Sequence, residues 1–546
     1  MQDRLDRARR AASALENHVA DEFLAGRLSR RELLRHASRI GMGTALIGAL
    51  AGPSPARATR SGKPGATIRV AAQMPAGAIE PLTVSESGGV MMLCQTGEFL
   101  ILSASDLSLK PMLAVSWKPN ADGSVWTFSL RPGVKFHNGH IFTAADVVAT
   151  MDRLCDPKQG SNALSVMRGV LSPGGTKKID DLTVRFELEA PNGNFPYFVC
   201  SENYNAIMLP ADYDGDFEKN FNGTGPFRLD RYTQKVGANF VRNPTYWGQP
   251  ALPDRTEFSF YTDQQAEILA LEDDQVDVIW QISVQGAQGL IRDPDVKIID
   301  IPAATHREVH MRCDAGPLAD RRVRQAIALT LDRPGLIHGL FRGLAKPGND
   351  SPFAPIYPST DPTVPQRVKD LGKARELMHA AGHADGIDVT LTTERLQEIP
   401  DYAVLLQNAC ADIGVRLTLK IEDEAAYYGA AQPGRSDWLD SEMGITDYGH
   451  RGVPNVSLGA PLCSNGAWNA AHFYNPTYDK LVATYVAALD LHTQRDAARQ
   501  IQTLLLEETP VIIAYFYDFL VATGPTVTGV SVGAISQLFL QDAAVQ

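Results

Sequence analysis

The stretch Leu109 to Leu154, LKPMLAVSWKPNADGSVWTFSLRPGVKFHNGHIFTAADVVATMDRL, contains the clearest local pattern in the chain. Apolar and polar residues alternate on both sides of the turn segment 120–123, which predicts a β-hairpin with one buried face. Further along, Thr143 and Asp146 form a capping-box pattern at the start of an amphipathic helix. The stretch therefore predicts a unit of mixed α and β structure.

The amino-acid sequence of this stretch resembles that of the family 5 extracellular solute-binding proteins, the dipeptide- and oligopeptide-binding components of ABC importers. Members of that family carry four motifs that occur here in the same order, namely LA-x-SW, DG, W/YTF-x-LR-x-GVKFH-x-G and TA-x-DVV. Residues 222–227 and 242–247 are similar to two further motifs of the family, GTGP-[FY] and RNP-x-YW. The resemblance implies an α/β fold, namely a two-lobed periplasmic binding protein of type II with an extra small third domain, hinge-connected.

The length of 546 residues also predicts more than one hydrophobic core, since single cores stop growing near ~250 to 300 residues. Beyond residue 320 predicted helices and strands alternate, which favours a partly parallel sheet covered by helices. We expect crossings between the lobes near residues 300 to 310 and 510 to 520. Together with the resemblance, these patterns predict lobe I from residues 59–104, 216–305 and 515–546, a small inserted domain from residues 105–215, and lobe II from residues 306–514.

The chain is acidic, with a formal net charge of -12 at pH 7. Residues 1–58 hold ten Lys/Arg and six Asp/Glu, so the remainder carries 41 basic and 57 acidic residues. Such a surface disfavours nucleic acid as a partner and is compatible with a cationic or amine-bearing ligand. The six cysteines are scattered without a C-x-x-C motif, so disulfides outside the cytoplasm are possible but their pairing stays open.

Residues 1–58 resemble a twin-arginine signal peptide. Arg30 and Arg31 precede the uncharged stretch 40–52, and Ala56-Arg57-Ala58 gives a small-x-small cleavage pattern. The uncharged stretch is shorter than the ~20 residues that span a bilayer. We therefore expect cleavage after Ala58 and export of a soluble, monomeric protein to the periplasm, without direct membrane insertion. An amphipathic helix of a cytosolic protein is the alternative interpretation.

One arrangement has the appearance of a metal site, His306-Arg-Glu-Val-His310 with Cys313 beyond it. On a helix the two histidines would share a face, but on a strand they lie about 13 Å apart and cannot bind one ion. The resemblance implies a strand, and Arg307 stands where the zinc-protease pattern has glutamate. We therefore expect no metal and no cofactor.

The resemblance places the ligand contacts in residues 441–455. Asp447 fits the position of an aspartate that pairs with the α-ammonium group of a peptide, a charge-assisted bond that strengthens when the cleft closes. Tyr448, His450 and Arg451 belong to the same predicted site, and Trp468 is a candidate for stacking on the ligand. The competing interpretations are that Asp447 caps a loop and that Trp468 belongs to the core.

The predicted function is that of a substrate-binding protein, not an enzyme, which captures a small solute between two closing lobes and delivers it to the permease subunits of an ABC transporter. A peptide or another amine-bearing compound is the expected ligand. The alternatives are a secreted hydrolase, for which the chain lacks a G-x-S-x-G or Walker motif, and the same fold used for sensing, for chaperoning, or for binding a sugar or other neutral solute.

Overall fold

The structure, a computed structural model, describes residues 2–51 and 65–546. The helices are α1 (Gln2–Arg10), α2 (Ala14–Leu24), α3 (Arg30–Arg39), α4 (Thr44–Ala51), α5 (Ser87–Thr96), α6 (Ala144–Cys155), α7 (Leu164–Met167), α8 (Gln264–Glu272), α9 (Arg321–Ala328), α10 (Arg333–Phe341), α11 (Leu371–Ala380), α12 (Ile399–Ala411), α13 (Glu424–Tyr428), α14 (Asp437–Asp440), α15 (Asn455–Gly459), α16 (Pro476–Ala487) and α17 (Leu491–Glu508).

The strands are β1 (Thr67–Gln73), β2 (Ile101–Ser103), β3 (Leu109–Pro111), β4 (Ala114–Pro119), β5 (Val125–Leu130), β6 (Thr176–Asp180), β7 (Thr183–Glu187), β8 (Phe227–Thr233), β9 (Gly237–Arg242), β10 (Arg255–Tyr261), β11 (Val278–Ile282), β12 (Lys297–Met311), β13 (Ala345–Pro347), β14 (Ile387–Glu394), β15 (Val415–Glu422), β16 (Met443–Tyr448), β17 (Val511–Thr523), β18 (Val527–Thr528), β19 (Ser531–Val532), β20 (Leu538–Phe539) and β21 (Ala544–Val545).

One large mixed sheet runs through both lobes, in the order β15-β14-β16-β12-β17-β11-β1-β10-β9-β8. The parallel pairs are β14 with β15 and β16 on one side, and β1 with β10 and β11 on the other. Helices α9 to α12 pack with one half of the sheet, as the alternation of apolar helices and strands predicts for an α/β protein. The predicted two-lobed α/β architecture is confirmed.

The long strands β12 and β17 join the two halves of the sheet. They pair antiparallel from Lys297 opposite Thr523 to His310 opposite Val511, with irregular register between Ile301 and Glu308. One end of β12 pairs with β16, and the opposite end of β17 pairs with β11. The crossings expected near residues 300 to 310 and 510 to 520 are therefore these two strands.

A separate four-stranded sheet, β4-β5-β7-β6, contains the hairpin predicted from Leu109 to Leu154. Its strands β4 and β5 pair antiparallel, and Trp126, Phe128 and Phe186 are fully buried between the sheet and its neighbours. The predicted capping box is present at α6. The Thr143 side chain accepts a hydrogen bond from a backbone N–H of the first helical turn, and the Asp146 carboxylate accepts one from the backbone N–H of Thr143. Local patterning alone was sufficient to predict this unit.

Helices α1 to α4 pack around a small apolar cluster that includes Leu491 of α17. The expected cleavage pattern Ala56 to Ala58 lies outside the described residues. No helix in the described ranges combines the length and apolar character needed to span a membrane. All six cysteines lie in those ranges and are free thiols.

Candidate functional site

A cavity of about 300 Å³ lies at the ends of β1, β10 and β11 and is also lined by Gln397, from the segment between β14 and α12. Strands β1 and β10 are parallel neighbours, so their carboxyl ends open at the same edge. Ligands of open α/β sheets bind at such edges. The polar side chains of the lining are those of Gln73, Ser87, Tyr261, Thr262, Asp263, Gln264, Glu267, Trp280, Gln281, Ser283 and Gln397.

Trp280 lines this cavity and carries a buried hydrogen-bond donor. The residue is 3% exposed, and its indole N–H has no partner among the described residues. Buried indole N–H groups normally find an acceptor. The unused donor therefore suits a carbonyl or carboxylate oxygen of a ligand in the cavity.

Gln397 connects the cavity to a cluster of charges on the other lobe. Its backbone lies in the left-handed region, with φ of 44°, a conformation that non-glycine residues adopt at a cost and that occurs often at binding sites. Its side-chain oxygen accepts from Nη2 of Arg307 at 2.9 Å. The strained backbone thus places one amide both at the cavity wall and against a buried arginine.

The Arg307 side chain is fully buried, and protein groups occupy all of its donors. Nε and Nη2 form a bidentate pair with Glu398 at 2.8 and 3.1 Å, and Nη2 also bonds Gln397. Nη1 donates to Tyr517 Oη at 2.9 Å and to Asp447 Oδ1. Because a guanidinium has five N–H groups, this network leaves none for a ligand.

The charge on Arg307 is secured by its neighbours. Burial by itself lowers the pKa of Arg307, but Tyr517, Asp447 and Glu398 outweigh burial and raise that pKa well above its ordinary value. The arginine is therefore a fixed cation. The formal charges of Arg307, Glu398 and Asp447 sum to -1.

Asp447, the predicted ligand contact, lies at the exposed edge of this network. Its side chain is 32% exposed, whereas those of Arg307 and Glu398 are 0% and 2% exposed. Tyr517 donates to Oδ1 at 3.3 Å, and Oδ2 has no hydrogen-bond partner within the described part of the chain. One carboxylate oxygen of the partly exposed Asp447 is thus held by Arg307 and Tyr517, and the other remains available to a ligand.

The other predicted contacts occupy different surroundings. Tyr448 is buried, stacks on the His306 ring at 5.5 Å and lies 6.3 Å from the Trp468 ring. Trp468 also contacts Trp438 at 6.4 Å. Both aromatic residues thus belong to a cluster beside Asp447, and no atom of either lines the cavity described above.

His450 and Arg451 do not line the cavity described above. His450 is 3% exposed, and its Nδ1 accepts from the backbone N–H of Ala304 at 2.9 Å, while Nε2 lies 3.3 Å from Glu202. The carbonyl oxygen of Arg451 accepts from Tyr357 at 2.7 Å. Both ring nitrogens of His450 are therefore turned toward protein groups.

The His306 to His310 segment lies on β12, as the resemblance implied. His306, Glu308 and His310 alternate with Arg307 along the strand and face its opposite side. Burial lowers the pKa of His306 to about 4 and that of His310 to about 3. In the described ranges no group of three His, Cys, Asp or Glu side chains is placed to hold a metal ion.

The two motifs in residues 222–227 and 242–247 both contact one buried carboxyl group, that of Glu98. Glu98 accepts from Thr224 at 2.8 Å and from Tyr246 and Trp247 at 2.7 Å each. Burial raises the pKa of Glu98 to about 7, although these three donors oppose the rise. A Cβ atom on Gly225 would collide with the backbone of Thr96, so the tight approach requires glycine. The two motifs therefore have a structural role, as their glycine and proline residues, which are typical of turns, predict.

Sequence reasoning missed Arg307, Gln397, Glu398 and Trp280. Arg307 was considered only as a departure from a zinc motif, although a lone arginine among buried strand residues is itself a signal, since arginine is almost never buried unpaired. Glu398 and Gln397 are adjacent in sequence, and no local pattern connects them to β12. Their contribution depends on contacts between segments about 90 residues apart.

The sequence profile of bacterial extracellular solute-binding proteins, family 5 Middle, matches residues 108–469. The glutathione-binding protein GsiB of Pectobacterium atrosepticum is 25% identical over 473 residues, which cover 80% of this chain and 86% of that protein. Di/tripeptide-binding protein 1 of Pseudomonas aeruginosa is 26% identical over 430 residues, covering 73% and 79%.

The fold is similar to that of the ABC transporter-associated periplasmic binding protein DppA from Helicobacter pylori in complex with the peptide STSA. The TM-score is 0.70 with 20% identity, and the match covers 88% of this chain and 98% of that one. This likeness agrees with the two lobes and the cleft between them. Because the family profile also spans well over half of the chain, the protein belongs to family 5 of the bacterial extracellular solute-binding proteins and is a solute-binding protein of an ABC importer, not an enzyme.

Proposed function

We propose that the solute is a small peptide or another compound with a primary amine, and that Asp447 binds its ammonium group. The observation that carries this proposal is the occupation of every Arg307 donor by protein acceptors, while the Asp447 side chain is 32% exposed and its Oδ2 has no hydrogen-bond partner in the described part of the chain. Arg307 therefore acts as a positioning residue for a carboxylate and does not itself bind an anion.

The charges of the cluster support the same ligand class. One arginine and two carboxylates leave an excess negative charge, which a single ammonium group would neutralise. Glu394 lies close enough to Asp447 for its pKa to be raised, first by burial and then by that neighbouring charge. A cation is thus favoured here and an anionic group is repelled.

The cavity of lobe I supplies complementary groups for the remainder of such a ligand. The Trp280 indole N–H suits a peptide carbonyl or carboxylate, and the glutamine amides both donate and accept.

Closure over the ligand removes water and strengthens the bond to Asp447. The closed form is then selected by its higher affinity for the ligand, and it is the form that the permease subunits would recognise. GsiB and di/tripeptide-binding protein 1 are named for peptide ligands, which is compatible with this chemistry.

We also infer a periplasmic location and export through residues 1–58, with cleavage after Ala58, as the arginine pair and the following apolar stretch indicate. The mature monomer would close by movement of lobe II, residues 306–514, relative to lobe I, residues 59–104, 216–305 and 515–546. The small domain, residues 105–215, is inserted in lobe I.

Mass spectrometry of ligands released by denaturing protein purified from its native cells tests this proposal. A peptide or amine is expected, and calorimetry with the identified compound should give 1:1 binding that is lost when its amine is acetylated. Recovery of a sugar or another neutral solute, or full binding of the acetylated compound, would overturn the assignment of Asp447 to an ammonium group.

A further inference from the structure

Residues 2–51, here named the N-terminal cap, form a folded unit attached to the rest of the chain, the body. The buried apolar side chains of the cap include Leu33, Ala37, Ile40, Met42 and Leu46, and Leu491 of the body completes their cluster. Helices of 8 to 11 residues are marginal on their own in water. The four cap helices therefore depend on contacts with one another and with the body.

The central contact is a buried arginine near the end of α3. Arg39 is 5% exposed, and its guanidinium donates to Asn194 Oδ1 at 3.1 Å, to Gln494 Oε1 and to the carbonyl oxygen of Leu489. All three acceptors belong to the body and are uncharged. A buried cation is tolerated only when it is hydrogen-bonded. These acceptors hold both Nη atoms of Arg39, while Nε has no partner in the described part of the chain.

The socket is itself an ordered part of the body. Gln494 Nε2 donates to Asn194 Oδ1 at 3.1 Å, and Asn194 Nδ2 donates to Asn455 at 2.8 Å. Asn194 and Gln494 are 1% and 2% exposed. Their oxygens are thus fixed in place to accept from Arg39.

Further polar contacts fix the direction of α3 on the body. The Trp117 indole donates to the carbonyl oxygen of Arg39 at 3.2 Å. Arg35 donates to the carbonyl oxygen of Ile356 at 3.0 Å, and the backbone N–H of Leu109 donates to Ser38 at 2.9 Å. Gly41 has φ of 67° and packs so closely on the Trp117 carbonyl that a Cβ atom would collide with it.

These partners come from four separate parts of the body, residues 109–117, 194, 356 and 489–495. They are adjacent only after the body has folded. We propose that the body carries a docking socket for α3, and that docking of α3 holds the cap together, so that the unprocessed chain packs its apolar stretch 40–51 against the other cap helices only once the body is folded. Arg30 and Arg31 remain at the surface in this docked form.

The inference goes beyond solute binding and does not depend on it. A chain exported by the twin-arginine route is folded before export, and a docked cap would keep the apolar stretch from aggregating until an export receptor withdraws it. After cleavage the socket would stand empty. In a chain that is not processed, the cap would be a permanent part of the protein.

Hydrogen exchange of the full-length protein, followed by mass spectrometry, tests the docking. We expect the amides of residues 33–39 to exchange at least about 100-fold more slowly than in an unfolded reference, since an isolated helix of this length gives little protection. Arg39→Ala should lose about tenfold or more of that protection and should also expose residues 489–495 of the body. Arg27→Ala is the matched control, because Arg27 pairs with Glu22 inside the cap, and it should change neither region.

Trypsin digestion of the same protein gives a second readout that needs no variant. Cleavage is expected after the exposed Arg27, Arg30 and Arg31, and not after the buried Arg35 and Arg39. Rapid exchange of residues 33–39 in the wild type, prompt cleavage after Arg39, or equal protection in the Arg39→Ala and Arg27→Ala proteins would each overturn the proposal. If Arg39→Ala fails to fold, hydrogen exchange and trypsin digestion of the wild-type protein still decide whether α3 is docked on the body.

Discussion

Arg307 lies directly opposite Asp447 in the antiparallel pairing of β12 with β16, although 140 residues separate them in sequence. The pairing aligns the two side chains on one face of the sheet, where the guanidinium fixes Oδ1, while Oδ2 has no hydrogen-bond partner in the described part of the chain. β12 also crosses between the lobes. The proposed ammonium site on β16 is therefore positioned by a residue of the strand about which closure would occur.

Replacing Asp447 by Asn removes the charge with almost no change in shape. For an amine-bearing ligand we expect a loss of about 100-fold or more in affinity, because an ammonium group would then be buried without its counter-charge. Isothermal titration calorimetry measures the change. Asp412→Asn removes an exposed acid at the end of α12 and should bind normally; equal affinity of the two variants would move the ligand site away from Asp447.

The same substitution should also reduce the stability of the ligand-free protein. Nη1 of the buried Arg307 loses a charged acceptor, which typically costs about 1 to 3 kcal/mol. The cost stays at this level because Glu398 continues to neutralise the arginine. Urea unfolding of ligand-free protein measures it, and unchanged stability would mean that solvent already screens the pair.

Trp280→Phe removes an indole N–H that has no protein partner. We expect a loss of about three- to tenfold in ligand affinity, the usual worth of a neutral hydrogen bond. Trp126→Phe is the control, because its indole donates to the carbonyl oxygens of Gly123 and Asn192 at 3.2 Å each. That variant should lose more stability than Trp280→Phe and no affinity; the reverse pattern would exclude Trp280 from the ligand site.

The sequence predicted those features that depend on neighbouring residues. The hairpin of β4 and β5 and the capping box at Thr143 follow from residues within about ten positions of one another, so alternation and turn chemistry were enough. Arg307 could not be recognised in this way, since its role depends on strand register and on Glu398 from another segment. The position of Asp447 was implied by the family resemblance, whereas the arginine behind it was visible only in the structure.

Export is tested by replacing both Arg30 and Arg31 with Lys. The twin-arginine route reads the guanidinium pair, so we expect unprocessed protein to remain in the cytoplasm. Cell fractionation and the mass of the N-terminus provide the measurement. Arg9→Lys with Arg10→Lys is a matched pair elsewhere in the segment and should be exported normally; normal periplasmic levels of the first variant would refute this export route.

Closure of the lobes should reduce the radius of gyration when ligand is added, because β12 and β17 are the long crossings and their pairing is irregular near the middle. Small-angle X-ray scattering measures the change at saturating ligand. Acetylated ligand, which should not bind, is the control. An identical profile with and without ligand would indicate a preformed site instead of a closing cleft.

The buried carboxyl group of Glu98 predicts that the stability of the protein depends on pH. Its folded-state pKa of about 7 lies above its ordinary value of 4.5, so between these values the folded protein retains a proton that the unfolded chain has lost. The free energy of unfolding contributed by this group therefore falls as pH rises from about 4.5 to 7, by about 2 to 3 kcal/mol in total, and changes no further above that range.

Glu98→Gln separates this contribution from those of other groups, because glutamine has the shape of the protonated acid and does not titrate. At pH 4.5 the wild type should be at least as stable as the variant. Toward pH 7.5 the variant should gain about 2 to 3 kcal/mol relative to the wild type, since only the wild type must then bury a charge or bind a proton. Urea unfolding across this range measures the difference, with Glu272→Gln on the exposed side of α8 as the control for loss of one acid. A difference between wild type and Glu98→Gln that does not vary with pH would show that the carboxyl group, despite its burial against Tyr246 and Trp247, is stabilised as an anion by its three donors.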